Sequence, residues 1–297
     1  MVSFKPGTSF DFPIKPLSVL AANVVQSYTP PVSDIIDDPL KLFERQVEAQ
    51  RRDLAAVAST PPGSPVPGTG PSVSMGVDAE WVHDPDTRTN RILSIQFHVV
   101  GECGEFSHIE YLKGGAADKR PEFAKLIAEV LTMGVEGGYI LEWPQTVIVA
   151  AFFLRADLTA FGDLARFKTR LDSVGRSVGT RGAGIPFDVE FEPRDIERLT
   201  QARRLVACSD DYRRALQVKF IDLVRHVPAG TTLADVGALL GQPKIELPPG
   251  AIEHMDLLLA DNPELYAKYA AQDALIAVYF LHRVKEVIGG LLERGAA

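Results

Sequence analysis

Hydrophobic and polar residues alternate through Met75-Gly76-Val77-Asp78-Ala79-Glu80-Trp81. Successive side chains of a strand point to opposite faces, so Val77, Ala79 and Trp81 share one face and Asp78 and Glu80 the other. The apolar face predicts burial. The polar face sets two carboxylates two residues apart on a rigid element, where they repel unless protons or a cation neutralise them. A strand end whose polar face meets water accounts for the pair equally well, so the stretch alone leaves both readings open.

The alternation is followed by a polar turn, His83 to Asn90, a strand from Arg91 to Val100, the turn Gly101-Glu102-Cys103-Gly104, and a strand from Glu105 to Leu112. Turns this short predict an antiparallel meander. The period then changes. Pro121 opens a helix with Phe123, Leu126, Ile127, Val130 and Leu131 on one face, closed by Gly134,. Thr146 to Ala151 is apolar throughout, as in a strand covered on both faces,. Asp157 stands at the junction between that strand and a helix carrying Phe161, Leu164, Phe167 and Leu171 inward. An acid there also suits an ordinary helix N-terminus. Val218 to Val224 reads as another strand, and Thr232 caps a helix ending near Leu240. Strands in a meander, a helix and a buried strand predict an α/β fold with a mixed sheet.

The last long helix starts at Asn262-Pro263 and is expected to stop at Gly289-Gly290,. It is apolar on nearly every face from Ala270 to Leu281, and Tyr269 and Asp273, four apart, share a face within it,. A carboxylate in a buried helix is costly unless it is paired or binds a metal.

Two regions break the pattern. Residues 1 to 37 are rich in Pro and Ser without a period, and about 39 to 58 predict a short helix with a loose stripe of Leu40, Phe43, Val47, Leu54 and Val57. The Pro/Gly/Ser-rich run 59 to 71 reads as a linker unable to form a packed element,. A domain boundary falls there, with 1–71 an N-terminal extension and 72–297 the main domain. The second region, about 174–216, reads as an insertion: glycine-rich over 174–187, then helical over 193–216. Its glycines do not match a phosphate-loop spacing. Arg176 and Arg181 in it, with Arg166, Lys168 and Arg170 just before, form a basic cluster. It is either a solvated face or a groove wall for a phosphate backbone.

Composition narrows the function. A net charge of −8 over 297 residues argues against a sequence-independent nucleic-acid coat protein,. It is compatible with a carboxylate-rich site whose charge bound metals offset. No apolar run is long enough to span a bilayer, and Met1 to Lys15 lacks the layout of a secretory signal,. Cys103 and Cys208 have no metal-ligand spacing,. The expectation is an intracellular, cytoplasmic protein that does not bind membranes.

Together, Asp78-x-Glu80, Asp157 and Tyr269-x-x-x-Asp273 resemble the DEDD (DnaQ-like) superfamily of 3′–5′ exonucleases. The tyrosine four residues before the last acid is similar to the DEDDy branch, which includes proofreading domains of DNA polymerases and relatives of ribonuclease D. The histidine branch has His five residues before the acid, where this chain has Lys268. The segment FIDLVRHVPAGTTLADVGALLGQPK looks like the family's strand–turn–helix, which commonly ends near a lysine, here Lys244. The chain departs from the family at Ala150 and Ala151, where Asn or His is common, and in its long spacing from Asp157 to Asp273. The resemblance covers about residues 72 to 290.

It implies a ribonuclease H-like fold and two divalent cations, Mg²⁺ or Mn²⁺, of the kind that clamp a phosphodiester about 3.5–4 Å apart. Asp78, Glu80 and Asp273 would hold one cation, Asp78 would bridge to a second, and Asp157 would hold that one. Tyr269 would orient the attacking water. The implied partner is the 3′ end of single-stranded nucleic acid, DNA before RNA, with nucleoside 5′-monophosphates released. Trp81, Phe153, Arg155, Lys168, Arg176, Arg181 and Lys244 are the candidate nucleic-acid contacts. A DNA polymerase or replication protein is the implied protein partner. A binding module with an inactive exonuclease fold is the alternative from another class.

Overall fold

The structure, a computed structural model, describes residues 38–84, 89–112, 120–163, 184–191, 197, 199 and 213–295, with backbone alone at 84, 89 and 288–295. Its strands are β1 (Val66–Pro67), β2 (Val73–Asp84), β3 (Thr89–Val100), β4 (Glu105–Tyr111), β5 (Thr146–Ala151), β6 (Ile185–Glu190) and β7 (Arg213–Asp222). Its helices are α1 (Pro39–Ser59), α2 (Phe123–Glu136), α3 (Leu154–Asp157), α4 (Leu233–Leu239), α5 (Met255–Asp261) and α6 (Pro263–Gly295). Among the described residues no helix is long and apolar enough to cross a membrane.

One mixed sheet organises them, in the order β1-β7-β5-β2-β3-β4 with β6 also paired to β7. β2, β3 and β4 form the expected antiparallel meander. β2, β5, β7 and β1 run parallel, and β6 is antiparallel to β7. The apolar run of β5 thus lies inside the sheet, between β2 and β7.

The alternation in the strands assigns each face its cover. Val73, Met75, Val77 and Ala79 of β2 join Ile95, Phe97 and Val99 of β3 against Phe123, Ile127, Val130 and Leu131 of α2. The other face takes α6 and α4, where Ile276, Val278 and Phe280 pack with Ala150 and Val236. Asp78 and Glu80 belong to this second face. Thr232 caps α4 in a reciprocal capping box with Asp235, as the sequence predicts,.

Four sequence expectations change. The run 59–71 does not stay outside the fold: Val66 and Pro67 pair with Arg214 and Ala215, and Gly70 bridges Pro144. A two-residue strand carries no periodic signal; the neighbouring ladder supplies its partners. Within the stretch read as an insertion, 185–190 is β6, and β7 begins at Arg213 where a helix to 216 was expected. α6 continues through Gly289-Gly290 to Gly295, the cost of two glycines in a helix being modest,. α5 was not expected at all.

α1 forms where the sequence places it, with Asp38 Oδ1 accepting from the Leu40 N–H at 3.0 Å. It docks through its small and polar side, Ala49, Asp53 and Ala56, and leaves Leu40, Phe43 and Leu54 exposed. Asp53 accepts both terminal nitrogens of Arg214, a fully buried residue of β7. Arg52 adds a hydrogen bond from Nε to Glu142 Oε2 at 3.1 Å.

Candidate metal centre

Three local events bring the acids together. The first is on β2 itself, where alternation puts Asp78 and Glu80 on the α6 face. The second is Gly76, two residues earlier on that face. A Cβ built there would lie 1.9 Å from the carbonyl oxygen of Ala274. Without it, the backbone of α6 rests directly on β2, and Asp273, the residue before Ala274, descends to the level of the strand acids. One carboxylate oxygen each from Asp78, Glu80 and Asp273 lie within 4.8 Å of one another.

The third event is the end of β5. Its pairing with β2 stops at Gly76↔Ala150. The chain then turns into α3, whose first amide, Leu154 N–H, donates to Asp222 Oδ1 at 3.4 Å at the end of β7. Asp157 closes α3, buried, near the backbone amide of Ala79, which favours its charged form and lies on β2 between the two strand acids.

Burial and crowding set the electrostatics. Asp78 is pushed well above the carboxylate range, first by burial and then by Asp157, Glu80 and Asp273. Glu80 rises to about 7 through burial and Asp273, with Lys244 opposing. Asp157 rises to about 8 through burial, then Asp222, Glu80 and Asp273, against the pull of the Ala79 amide. Asp273 is raised by burial, and Lys244 opposes the rise. Four carboxylates thus titrate high, all of them chiefly through burial, with repulsion between neighbouring acids adding to it at Asp78, Glu80 and Asp157.

Lys244 Nζ donates to Asp273 Oδ2 at 2.6 Å and lies 5.2 Å from the centroid of the Tyr269 ring. Burial works against its charge, but Asp273 outweighs this and its pKa is raised. The other oxygen of Asp273, Oδ1, is buried and has no hydrogen-bond partner among the described residues. An orphaned carboxylate oxygen, with further carboxylate oxygens within 4.8 Å, is a donor set for a hard divalent cation such as Mg²⁺ or Mn²⁺,. The residues present fit such an ion. Tyr269, one helical turn before Asp273, is buried, and burial raises its phenol above the usual value.

The candidate nucleic-acid residues separate. Phe153 is 60% exposed, edge-on to Phe152, and Arg155 beside it is exposed too, both within four residues of Asp157. Trp81 packs against the α2-side core, on the face that alternation with Val77 and Ala79 gives it, with the Arg120 guanidinium 5.6 Å from its ring centroid. Lys244 sits among the acids. Lys168, Arg176 and Arg181 lie outside the described residues. Sequence reasoning missed Asp222 and Gly76. Asp222 carried a signal, a lone acid ending an apolar strand. Gly76 carried none beyond its place two residues before Asp78.

No protein-family model matches the chain. Over 220 residues it is 32% identical to the primer-independent DNA polymerase PolB of Escherichia coli. That match covers 72% of this chain and 25% of the polymerase, so the chain spans about a quarter of that relative's length. The chain is related to part of a DNA polymerase.

Proposed function

We propose that the protein is a metal-dependent 3′–5′ exonuclease of the DEDDy type, on a ribonuclease H-like fold, removing nucleoside 5′-monophosphates from the 3′ end of DNA. The observation that carries this reading is the convergence of Asp78 and Glu80 with Asp273, nearly two hundred positions on, beside Asp157 and Tyr269. The similarity to a DNA polymerase favours DNA over RNA and a proofreading role beside a polymerase or replication protein.

The chemistry follows from the residues. Bound divalent cations would supply charge neutralisation for the attacking and leaving oxygens of an in-line displacement. Asp78, Glu80 and Asp273 would hold one ion, and Asp157, with Asp78, a second. Lys244 occupies one oxygen of Asp273 and so fixes the carboxylate with its other oxygen free for the cation. Tyr269 keeps its proton at neutral pH, so it orients a nucleophile by hydrogen bonding and does not serve as base,. The exposed ring of Phe153 is placed to stack on a base near the 3′ end,.

The test uses single strands of DNA and RNA labelled at either end, with Mg²⁺ or Mn²⁺ and then with chelator. The expected result is stepwise shortening of DNA from the 3′ end that stops with chelator and in Asp78→Ala. Faster shortening of RNA would move the substrate to RNA. DNA binding without cleavage would leave an inactive binding module. Cleavage that survives Asp78→Ala would overturn the site.

A further inference from the structure

We propose that Gln96 is a positioning residue for Asp78: its side-chain amide, anchored through Ser94 and Tyr266, donates a hydrogen bond that fixes the Asp78 carboxylate for metal binding. This rests on the metal-centre reading above. Gln96 lies on β3 as the Cα partner of Asp78, and Ser94 as the partner of Glu80. Residues directly opposite on an antiparallel pair have Cβ atoms about 4.5–5.5 Å apart. Their neighbours Ile95 and Phe97 pack on the α2 side, so Gln96 and Ser94 share the α6 face with the acids.

Ser94, Gln96 and Tyr266 are all fully buried. One end of the Gln96 amide is 2.5 Å from Ser94 Oγ, which is 2.5 Å from the Tyr266 hydroxyl. The other end is buried with no hydrogen-bond partner among the described residues. The two ends of an amide have the same shape, so the network decides which is nitrogen. With Nε2 on Ser94, the acceptor Oε1 is left orphaned opposite an acid. Turned end for end, every group is used: the Tyr266 hydroxyl donates to Ser94, the Ser94 hydroxyl donates to Gln96 Oε1, and Nε2 is left to donate. The acceptor across the strand pair is Asp78. One carboxylate oxygen would then be fixed by the protein and the other left for the cation, as Lys244 arranges at Asp273.

The experiment measures Mn²⁺ affinity calorimetrically on the full chain, with thermal melts in chelator. Wild type binds Mn²⁺ and Asp78→Ala does not. Gln96→Leu is expected to weaken binding about 10- to 100-fold, the usual effect of losing a hydrogen bond to a metal ligand, without lowering the melting temperature in chelator. Gln96→Met, of similar length with neither donor nor acceptor, should weaken binding as much. Unchanged affinity in a folded Gln96→Leu overturns the proposal. So does wild-type affinity in Gln96→Met, which also decides the matter if Gln96→Leu does not fold. Wild type that binds no Mn²⁺ overturns the metal-centre reading and this proposal with it; wild-type binding with unaffected Gln96 variants overturns this proposal alone.

Discussion

Where α1 meets β7, the guanidinium of Arg214 and the carboxylate of Asp53 are buried as a pair; where α6 meets β2, four carboxylates, two buried and two half-buried, gather near one lysine. The first arrangement is balanced: each charge has its opposite in bidentate geometry. The second is incomplete. Lys244 compensates part of the charge, burial raises all four acids and repulsion adds to it at three of them, and Asp273 keeps an oxygen without a partner among the described residues. A charge neutralised from within the chain serves architecture. A charge left to be neutralised from solution is a binding site for protons or cations.

The sharpest way to break this comparison is a pair of isosteric changes. Asp273→Asn is expected to reduce metal-dependent cleavage by about 10³-fold or more, since a cation contributes several kcal/mol to transition-state stabilisation. In chelator the melting temperature should change little, because the relief of repulsion among the acids offsets the loss of the Lys244 ion pair. Asp53→Asn should do the reverse. Removing one partner of a buried pair typically costs about 3–5 kcal/mol, read from denaturant unfolding, while the cleavage rate per folded molecule stays at the wild-type value. A slow but fully stable Asp53→Asn would merge the two regions into one functional unit.

Gly76→Ala comes next and tests whether close packing assembles the second region. The added methyl meets a backbone carbonyl of α6, which does not yield as a flexible side chain would. Overpacking of this kind costs about 1–3 kcal/mol. Because Asp273 moves with the helix, Mn²⁺ affinity should fall as well. Loss of stability with intact Mn²⁺ affinity would show that the acids do not depend on this contact.

The pH dependence of the metal-free protein has a defined sign. Glu80 at about 7 and Asp157 at about 8 lie above the values near 4 of unfolded carboxylates,. Between about pH 4 and 8 the folded state holds more protons than the unfolded one, so stability is highest at the acid end and falls as pH rises. Thermal melts in chelator should show the melting temperature dropping from pH 5 to pH 8, by roughly 2–4 °C for each kcal/mol lost. Mn²⁺ should restore most at pH 8. A flat profile would mean that the four acids are neutralised within the chain, as Asp53 is.

What the sequence revealed follows the range of the interactions involved. The acid pair of β2, the meander, α2, β5, the capped α4 and the start of α6 are written in local periodicity and caps. So is the shared face of Tyr269 and Asp273. β1 and β6 were hidden in Pro/Gly-rich stretches because their partner is β7, far away in sequence. Asp53 looked like one more polar residue of an amphipathic helix, because Arg214, which makes it architectural, is 161 positions away. The apolar stripe of α1 suggested an inward face, yet Leu40, Phe43 and Leu54 point outward. Lys244 was singled out by the strand–turn–helix it ends, and its pairing with Asp273, 29 positions on, is not written in that segment.

Asp222 stands between the two regions and gives the smallest and most discriminating effect. It is the largest charge contribution raising Asp157, yet it has a cation of its own, with Arg225 Nε 3.7 Å from Oδ2. Asp222→Asn keeps an oxygen to accept the Leu154 N–H and removes only the charge. Asp157 should then deprotonate more easily, and the pH at which Mn²⁺-dependent cleavage reaches half its maximum should move down. The shift should be less than about one unit, the equivalent of roughly 1.4 kcal/mol, because Arg225 already offsets part of the repulsion. Arg225→Met, which leaves Asp222 uncompensated, should move the midpoint up. Opposite displacements from the two variants would place Asp222 and its arginine as a tuning pair for Asp157. Equal displacements, or none, would assign Asp222 to the balanced, architectural kind of charge.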